Sequence, residues 1–235
     1  MKLKFKTTLL AAVAACSGVA SAITVGSLAD LATGGGSLSI GDKTFSGFGY
    51  VADGLTGFNP ANIQVEAKLL GDTYFLTWGG NISVATLDSV TPKLADLLLT
   101  YTVTASAGKI TSIDQSYTGA VSNGIGSISV AETVKNAGAV IVANSNLSLG
   151  DLSDPFAEPG DNLAINPGES VLHVSKDINL AILATAGQLG VTTVSQVEQS
   201  FHQTVPDGGS AVALLGIALI GLDGLRRKMR SMPNL

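Results

Sequence analysis

Between residues 23 and 205 the chain keeps returning to a period-two alternation of apolar and polar side chains. Leu99-Thr100-Tyr101-Thr102-Val103-Thr104 places Leu, Tyr and Val on one face and three threonines on the other. Ile63-Gln64-Val65-Glu66-Ala67, Ile110-Thr111-Ser112-Ile113, Ser127-Ile128-Ser129-Val130-Ala131 and Leu172-His173-Val174-Ser175 repeat the habit. Successive side chains of a strand point to opposite faces, so each run predicts a half-buried β-strand. Thr73 to Trp78 and Ala139 to Ala143 are more continuously apolar, as central strands are. The separators Gly79-Gly80-Asn81, Ala107-Gly108-Lys109, Ser122-Asn123-Gly124 and Asn136-Ala137-Gly138 carry turn chemistry. Strands and turns at this spacing predict an all-β fold: one antiparallel, jelly-roll-like β-sandwich over residues 23–204. Ser27–Ala32 predicts a single helical turn. Ile178–Gly187 fits helix or strand, and Asn162–Glu169 reads as a loop.

The two ends follow a different pattern. Lys2, Lys4 and Lys6 precede a short Ala-rich apolar stretch, Thr7 to Val19, which is closed by Ala20-Ser21-Ala22. A basic region, an apolar core and an A-x-A site, in that order, predict a secretory signal peptide over residues 1–22. Signal peptidase would cut after Ala22, with Ala20 and Ala22 as the small residues of the site. Val13-Ala14-Ala15-Cys16 resembles a bacterial lipobox, which would instead leave a lipidated Cys16. At the far end Val205-Pro206-Asp207-Gly208-Gly209-Ser210 leads into an apolar run from Ala211 to Leu222. Arg226, Arg227, Lys228 and Arg230 close it. A transmembrane helix over 211–225 would rise roughly 22 Å at ~1.5 Å per residue, short of the ~30 Å hydrocarbon core, so it crosses only by thinning the bilayer or letting the arginines snorkel. The cations would hold that end in the cytoplasm and the body outside.

Val205 to Arg230 resembles the PEP-CTERM class of bacterial sorting signals, in its VPDSG-type branch. The matching residues are Val205, Pro206, Asp207, Gly209 and Ser210, then the Gly/Ala/Leu helix and Arg226-Arg227-Lys228. Gly208 stands where the motif has Ser, and Asp223 interrupts the helix. The resemblance implies processing by an exosortase, a membrane transpeptidase-like enzyme, in the inner membrane of a Gram-negative bacterium. It also implies a cell-surface or exopolysaccharide-matrix destination, with exopolysaccharide a partner. The stretch Ser27 to Phe48, with Gly34-Gly35-Gly36 and Gly41-Asp42-Lys43, is similar to the opening of many PEP-CTERM ectodomains. It implies no catalytic residues.

Charge supports this layout. The body carries six lysines against sixteen acids, a net −10 between two basic ends. An acidic body excludes nucleic acid as the main partner. Cys16 is the only cysteine, which rules out a disulfide framework and a Cys-rich zinc site. At 46% hydrophobic and 13% charged residues the chain is too apolar for a disordered tail. The histidines are His173 and His202. In a strand His173 would share a face with Asp177 about 13 Å away at ~3.3 Å per residue, too far for a dyad. Gly47-Phe48-Gly49-Tyr50-Val51-Ala52 spells a dinucleotide-like motif with no helix to follow, so it binds no cofactor. The acidic stretch Asp151–Asp161 offers oxygen ligands without EF-hand spacing; the expectation is a solvated loop, with Ca²⁺ as the rival reading. Phe45, Phe48, Tyr50 and Trp78 are candidates for a sugar-stacking platform or for core. The chain therefore reads as a non-enzymatic surface protein without cofactor or metal. A carbohydrate-binding module is the alternative and a secreted hydrolase the weaker one.

Overall fold

A computed structural model describes residues 23–149 and 160–204. Twelve strands, one short helix and one 3-10 turn occupy these residues: β1 Ile23–Ser27, α1 Leu28–Thr33, β2 Leu38–Ile40, β3 Lys43–Asp53, the turn Pro60–Asn62, β4 Gln64–Leu70, β5 Thr73–Thr86, β6 Lys93–Ala105, β7 Lys109–Ser122, β8 Gly124–Asn136, β9 Ile141–Leu149, β10 Leu163–Glu169, β11 Val171–Ala184 and β12 Gly190–Thr204. They form two six-stranded sheets. The first has the order β1-β4-β5-β12-β7-β10, the second β2-β3-β6-β11-β8-β9. Every pairing is antiparallel. The chain crosses between the sheets eight times, at β1–β2, β3–β4, β5–β6, β6–β7, β7–β8, β9–β10, β10–β11 and β11–β12.

The alternation explains the layers. On β6, Leu97, Leu99, Tyr101 and Val103 are buried while Thr100, Thr102 and Thr104 stay partly open on the other face. Side chains from both sheets meet in one core. Phe201 of the first sheet lies 5.3 Å from Phe45 of the second, and Trp78 lies 5.2 Å from Tyr101 across the same gap, centroid to centroid. Tilted ring pairs at this range are favoured by the aromatic quadrupole.

The helix is one short segment, as predicted. Ser27 caps it, its Oγ accepting from the Asp30 amide at 3.1 Å, and Leu28 and Leu31 turn into the core. The ambiguous stretch from Ile178 is strand through Ala184. Three expectations are corrected. Ala139 to Ala143 is no central strand: Ala139 and Val140 belong to the turn before β9, an edge strand that begins at an exposed Ile141. Gly79-Gly80-Asn81 is a bulge inside β5 and no turn, because the pairing with β12 shifts there by one residue. A Cβ on Gly80 would come within 2.7 Å of Ile63 and 2.9 Å of the Asn62 carbonyl, so only glycine lets the 3-10 turn approach. The segment from Leu163 to Glu169 is the edge strand β10, since Ile165 drops into the core. Its Asn-Pro-Gly residues coincide with a slip in the ladder against β7, and the Asn166–Pro167 bond is cis.

Candidate functional site

The outer face of the first sheet carries the polar groups that converge. Cross-strand register builds two rows. Lys68, Phe75, Ser200 and Asp114 stand in line across β4, β5, β12 and β7; Glu66, Thr77, Glu198 and Ser116 form the next row. Glu198 collects both rows: Lys68 Nζ donates to its Oε2 at 3.2 Å and Thr77 Oγ1 at 3.1 Å. Lys68 Nζ also lies 5.1 Å from the Phe75 ring centroid. Asp161 and Asn162 close one side. The Asp161 amide donates to the Gln115 carbonyl at 3.0 Å, and the Gln115 amide donates back to Asp161 Oδ1 at 3.1 Å. The result is a cleft of about 380 Å³, walled by Phe75, Asp114, Ser116, Asp161, Glu198 and Ser200. One aromatic face ringed by carboxylates and hydroxyls suits a polyhydroxylated ligand.

Ser200, His202 and Asp114 lie together here, and their geometry argues against a hydrolytic triad. His202 Nε2 is 2.6 Å from Asp114 Oδ2 and 3.2 Å from Ser200 Oγ, while Ser200 Oγ donates to the same Asp114 Oδ2 at 2.8 Å. A nucleophilic serine needs one imidazole nitrogen for its proton and the other held by the acid. In this triangle one nitrogen meets both partners.

The outer face of the second sheet is hydroxyl-rich. Thr100, Thr102, Thr133, Lys135, His173 and Ser175 surround a shallow dip of about 220 Å³ beside Gly47. Gly47 adopts φ 60°, a conformation that strains any residue with a Cβ, at the bulge where β3 slips against β6. His173 Nδ1 bonds Thr102 Oγ1 at 2.9 Å. Farther along, Asp53 and Asp96 are paired across β3 and β6, with Asp177 beside them on β11. Partial burial and the neighbouring carboxylates, Asp177 foremost, raise the Asp96 pKa to about 6.

The aromatic residues singled out from the sequence do not form a binding platform. Phe45, Phe48 and Trp78 are buried, Trp78 to 1% exposure, and Tyr101 stacks on Phe48 at 6.2 Å. Tyr50 is half-buried against Phe58 at 6.0 Å. The aromatic that does reach the cleft, Phe75, sits at the outward parity of Tyr74-Phe75-Leu76, between two residues whose side chains point inward. Apolar continuity hides it. Among the described residues no group of three acidic, His or Cys side chains is placed to hold a metal ion. Most of the acidic stretch from Asp151, the signal-peptide residues Ala20 and Ala22, and the tail residues Val205, Pro206, Asp207, Gly208, Gly209, Ser210, Arg226, Arg227, Lys228 and Arg230 lie outside the described residues.

The structure does show how the body ends just before that tail. Gln203 of β12 accepts from Lys43 Nζ, which is itself fully buried, 2.7 Å from Asp42 Oδ1 and 4.2 Å from the Tyr74 ring centroid. Burial opposes ionisation of Asp42, but the hydrogen bonds from Lys43 and Tyr74 outweigh it and hold its pKa below the usual carboxylate value. The chain is therefore clamped two residues before Val205.

Residues 204–229 match the VPDSG-CTERM motif, the C-terminal sorting signal of the PEP-CTERM family. No curated protein matches the chain. Among solved structures it is similar to TmCBM61, determined with β-1,4-galactotriose, at 13% identity over 65% of this chain and 86% of that one, with a TM-score of 0.27. It is also similar to the N-terminal cellulose-binding domain of β-1,4-glucanase C from Cellulomonas fimi, at 11% identity over 67% and 90% of the two chains, with a TM-score of 0.25.

Proposed function

We propose that this is an exported bacterial surface protein, delivered by its tail and used as a non-catalytic structural or matrix-contacting module. The observation that carries the reading is the VPDSG-CTERM motif at residues 204–229, set directly after a strand that Lys43 clamps in place. The signal peptide would be removed after Ala22, the helix over 211–225 would hold the chain in the inner membrane, and Arg226, Arg227, Lys228 and Arg230 would stop it there. An exosortase would then cut near Val205–Gly209 and release the body to the envelope surface or exopolysaccharide matrix of a Gram-negative cell. Pro206 removes a backbone donor and Gly208-Gly209 keep the chain open to an enzyme. Asp207 is the motif's one charge and pairs with a cation of that enzyme. The body that is delivered reads as a jelly roll; the facing orders β5-β12-β7-β10 and β6-β11-β8-β9 support this.

Blotting membrane and surface fractions of host cells tests the sorting. Asp207→Ala leaves an unprocessed membrane species, while Arg226→Lys changes little. Equal release of the wild type and Asp207→Ala, or release that ignores loss of the exosortase, removes the reading. The second reading is carbohydrate binding, favoured by the Phe75 cleft with its ring of Asp114, Ser116 and Glu198. A sugar ring would stack on Phe75 and present its hydroxyls to the carboxylates. Affinity electrophoresis in host exopolysaccharide tests it: wild-type protein is retarded and Phe75→Ala is not.

A further inference from the structure

Inside the sandwich, Lys176, Glu132, Gln115 and Gln199 are among the polar side chains at positions that the alternation reserves for apolar ones. Lys176 lies between Val174 and Ile178 on the inward face of β11, and Glu132 between Val130 and Val134 on that of β8. They are directly opposite in register, and Lys176 Nζ is 3.2 Å from Glu132 Oε1 with both side chains at 0% exposure. Gln115 and Gln199 are paired in register on the inward faces of β7 and β12, in the other sheet. Lys176 reaches across the gap, and its Nζ donates to Gln115 Oε1 at 2.9 Å. The Gln115 carboxamide is fixed on its other side as well, its Nε2 donating to Ser145 Oγ at 2.5 Å and the Val130 carbonyl at 3.3 Å.

We propose that Lys176 and Gln115 join in an intramolecular isopeptide bond, with Glu132 as the proton carrier, which staples β11 of one sheet to β7 of the other. The chemistry starts from an ammonium and a carboxylate. Lys176 passes one proton to Glu132, and the freed lone pair on Nζ adds to Cδ of Gln115. Glu132 returns the proton to Nε2, the Cδ–Nε2 bond breaks, and ammonia departs as the carbonyl reforms. Glu132 then takes the surplus proton from the new amide nitrogen and surrenders it to the ammonia. The net change converts a lysine ammonium and a glutamine carboxamide into an amide and an ammonium ion, with Glu132 restored and no oxidant required.

Three features prepare the site. The amine and the amide are held in contact before reaction, which removes the orientational part of the barrier. Burial pushes the Lys176 amine down and, despite the lysine beside it, pushes Glu132 up, which favours the neutral pair that the first proton transfer creates. Ser145, which accepts from the Gln115 Nε2, is half-buried on the edge strand β9, so the leaving nitrogen is held beside a partly open edge of the sheet. The body after Ala22 contains no cysteine, so no disulfide can tie its sheets together. An amide link spanning 61 residues of sequence would do so without redox chemistry.

Tryptic mass mapping of the full-length protein tests this. The expected species is peptide 110–135 joined to peptide 136–226 through an uncleaved Lys176, at their summed mass less one ammonia. Glu132→Gln should lose this species, and Lys176→Met should give a chain one ammonia heavier than its substitution predicts from the linked wild type. The wild-type map is decisive by itself if either variant fails to fold. Recovery of wild-type 110–135 and 136–176 as separate, unmodified peptides overturns the proposal, as does a Lys176 link to any other residue. A full yield of linked peptide from Glu132→Gln overturns the role of Glu132.

Discussion

Truncating Phe201 to alanine tests whether the two sheets are held together through the aromatic core. Phe201 is at 0% exposure on β12 and faces two rings of the opposite sheet, Phe45 at 5.3 Å and Tyr101 at 6.5 Å, the latter edge-on at 86°. Removing a buried phenylalanine costs about 3–5 kcal/mol, from lost transfer energy plus the cavity that close-packed neighbours cannot fill. Each lost ring pair accounts for roughly 0.5–1.5 kcal/mol of that. Against a total stability of about 5–15 kcal/mol the loss is large. For a body of this size about 2–4 °C of Tm is lost per kcal/mol, so Tm should fall by roughly 6–20 °C. Trp78, the single tryptophan, reports the transition, because it lies against Tyr101 and hence next to the cavity. Thermal and urea unfolding followed by its fluorescence give the two midpoints. Val51→Ala, at an exposed site on β3, is the control and should change stability by less than about 0.5 kcal/mol. A Phe201→Ala loss below about 1 kcal/mol would refute the reasoning, since the sheets would then not depend on that contact.

Other perturbations separate surface from core. Phe75→Ala should leave the unfolding midpoint within about 1 kcal/mol of wild type, because the ring is half-buried on an outer face, whereas Trp78→Ala should cost about 3–5 kcal/mol; circular dichroism reads both. Asp96 is raised to about 6 in the folded protein, so protonation favours the fold below pH 4 and that advantage disappears as pH rises through 6. Asp96→Asn should therefore leave stability unchanged at pH 4 and increase it at pH 7, by well under ~1 kcal/mol for so exposed a group; a pH-independent difference in urea midpoints contradicts the assignment. Ser27→Ala removes the cap of α1 and should cost about 1 kcal/mol in the same assay. The mature chain isolated from its host should begin at Ile23, and Edman sequencing that finds a blocked, acylated Cys16 would move it to the lipoproteins.

Much of the architecture was legible in the chain. Leu99 to Thr104 announces its two faces residue by residue, and Ser122-Asn123-Gly124 and Asn136-Ala137-Gly138 are turns in the structure; Asn136 Oδ1 accepts from the Gly138 and Val140 amides. The sorting motif is likewise local, being read from adjacent residues. These features follow from side-chain alternation and turn stereochemistry, which act over a few residues at a time. Other features required partners distant in sequence. The parity of Val174-Ser175-Lys176-Asp177-Ile178 already sends Lys176 inward, but only the register of β11 against β8 places Glu132 opposite it, and only the stacking of the sheets brings Gln115 to its amine. The same holds for Phe45, Phe48 and Trp78, which local pattern cannot divide between core and ligand platform, and for the cleft, whose wall is drawn from β5, β7 and β12 and completed by Asp161. A strand's pattern specifies which face each side chain takes, while its neighbours are chosen by burying the whole set of apolar faces at once.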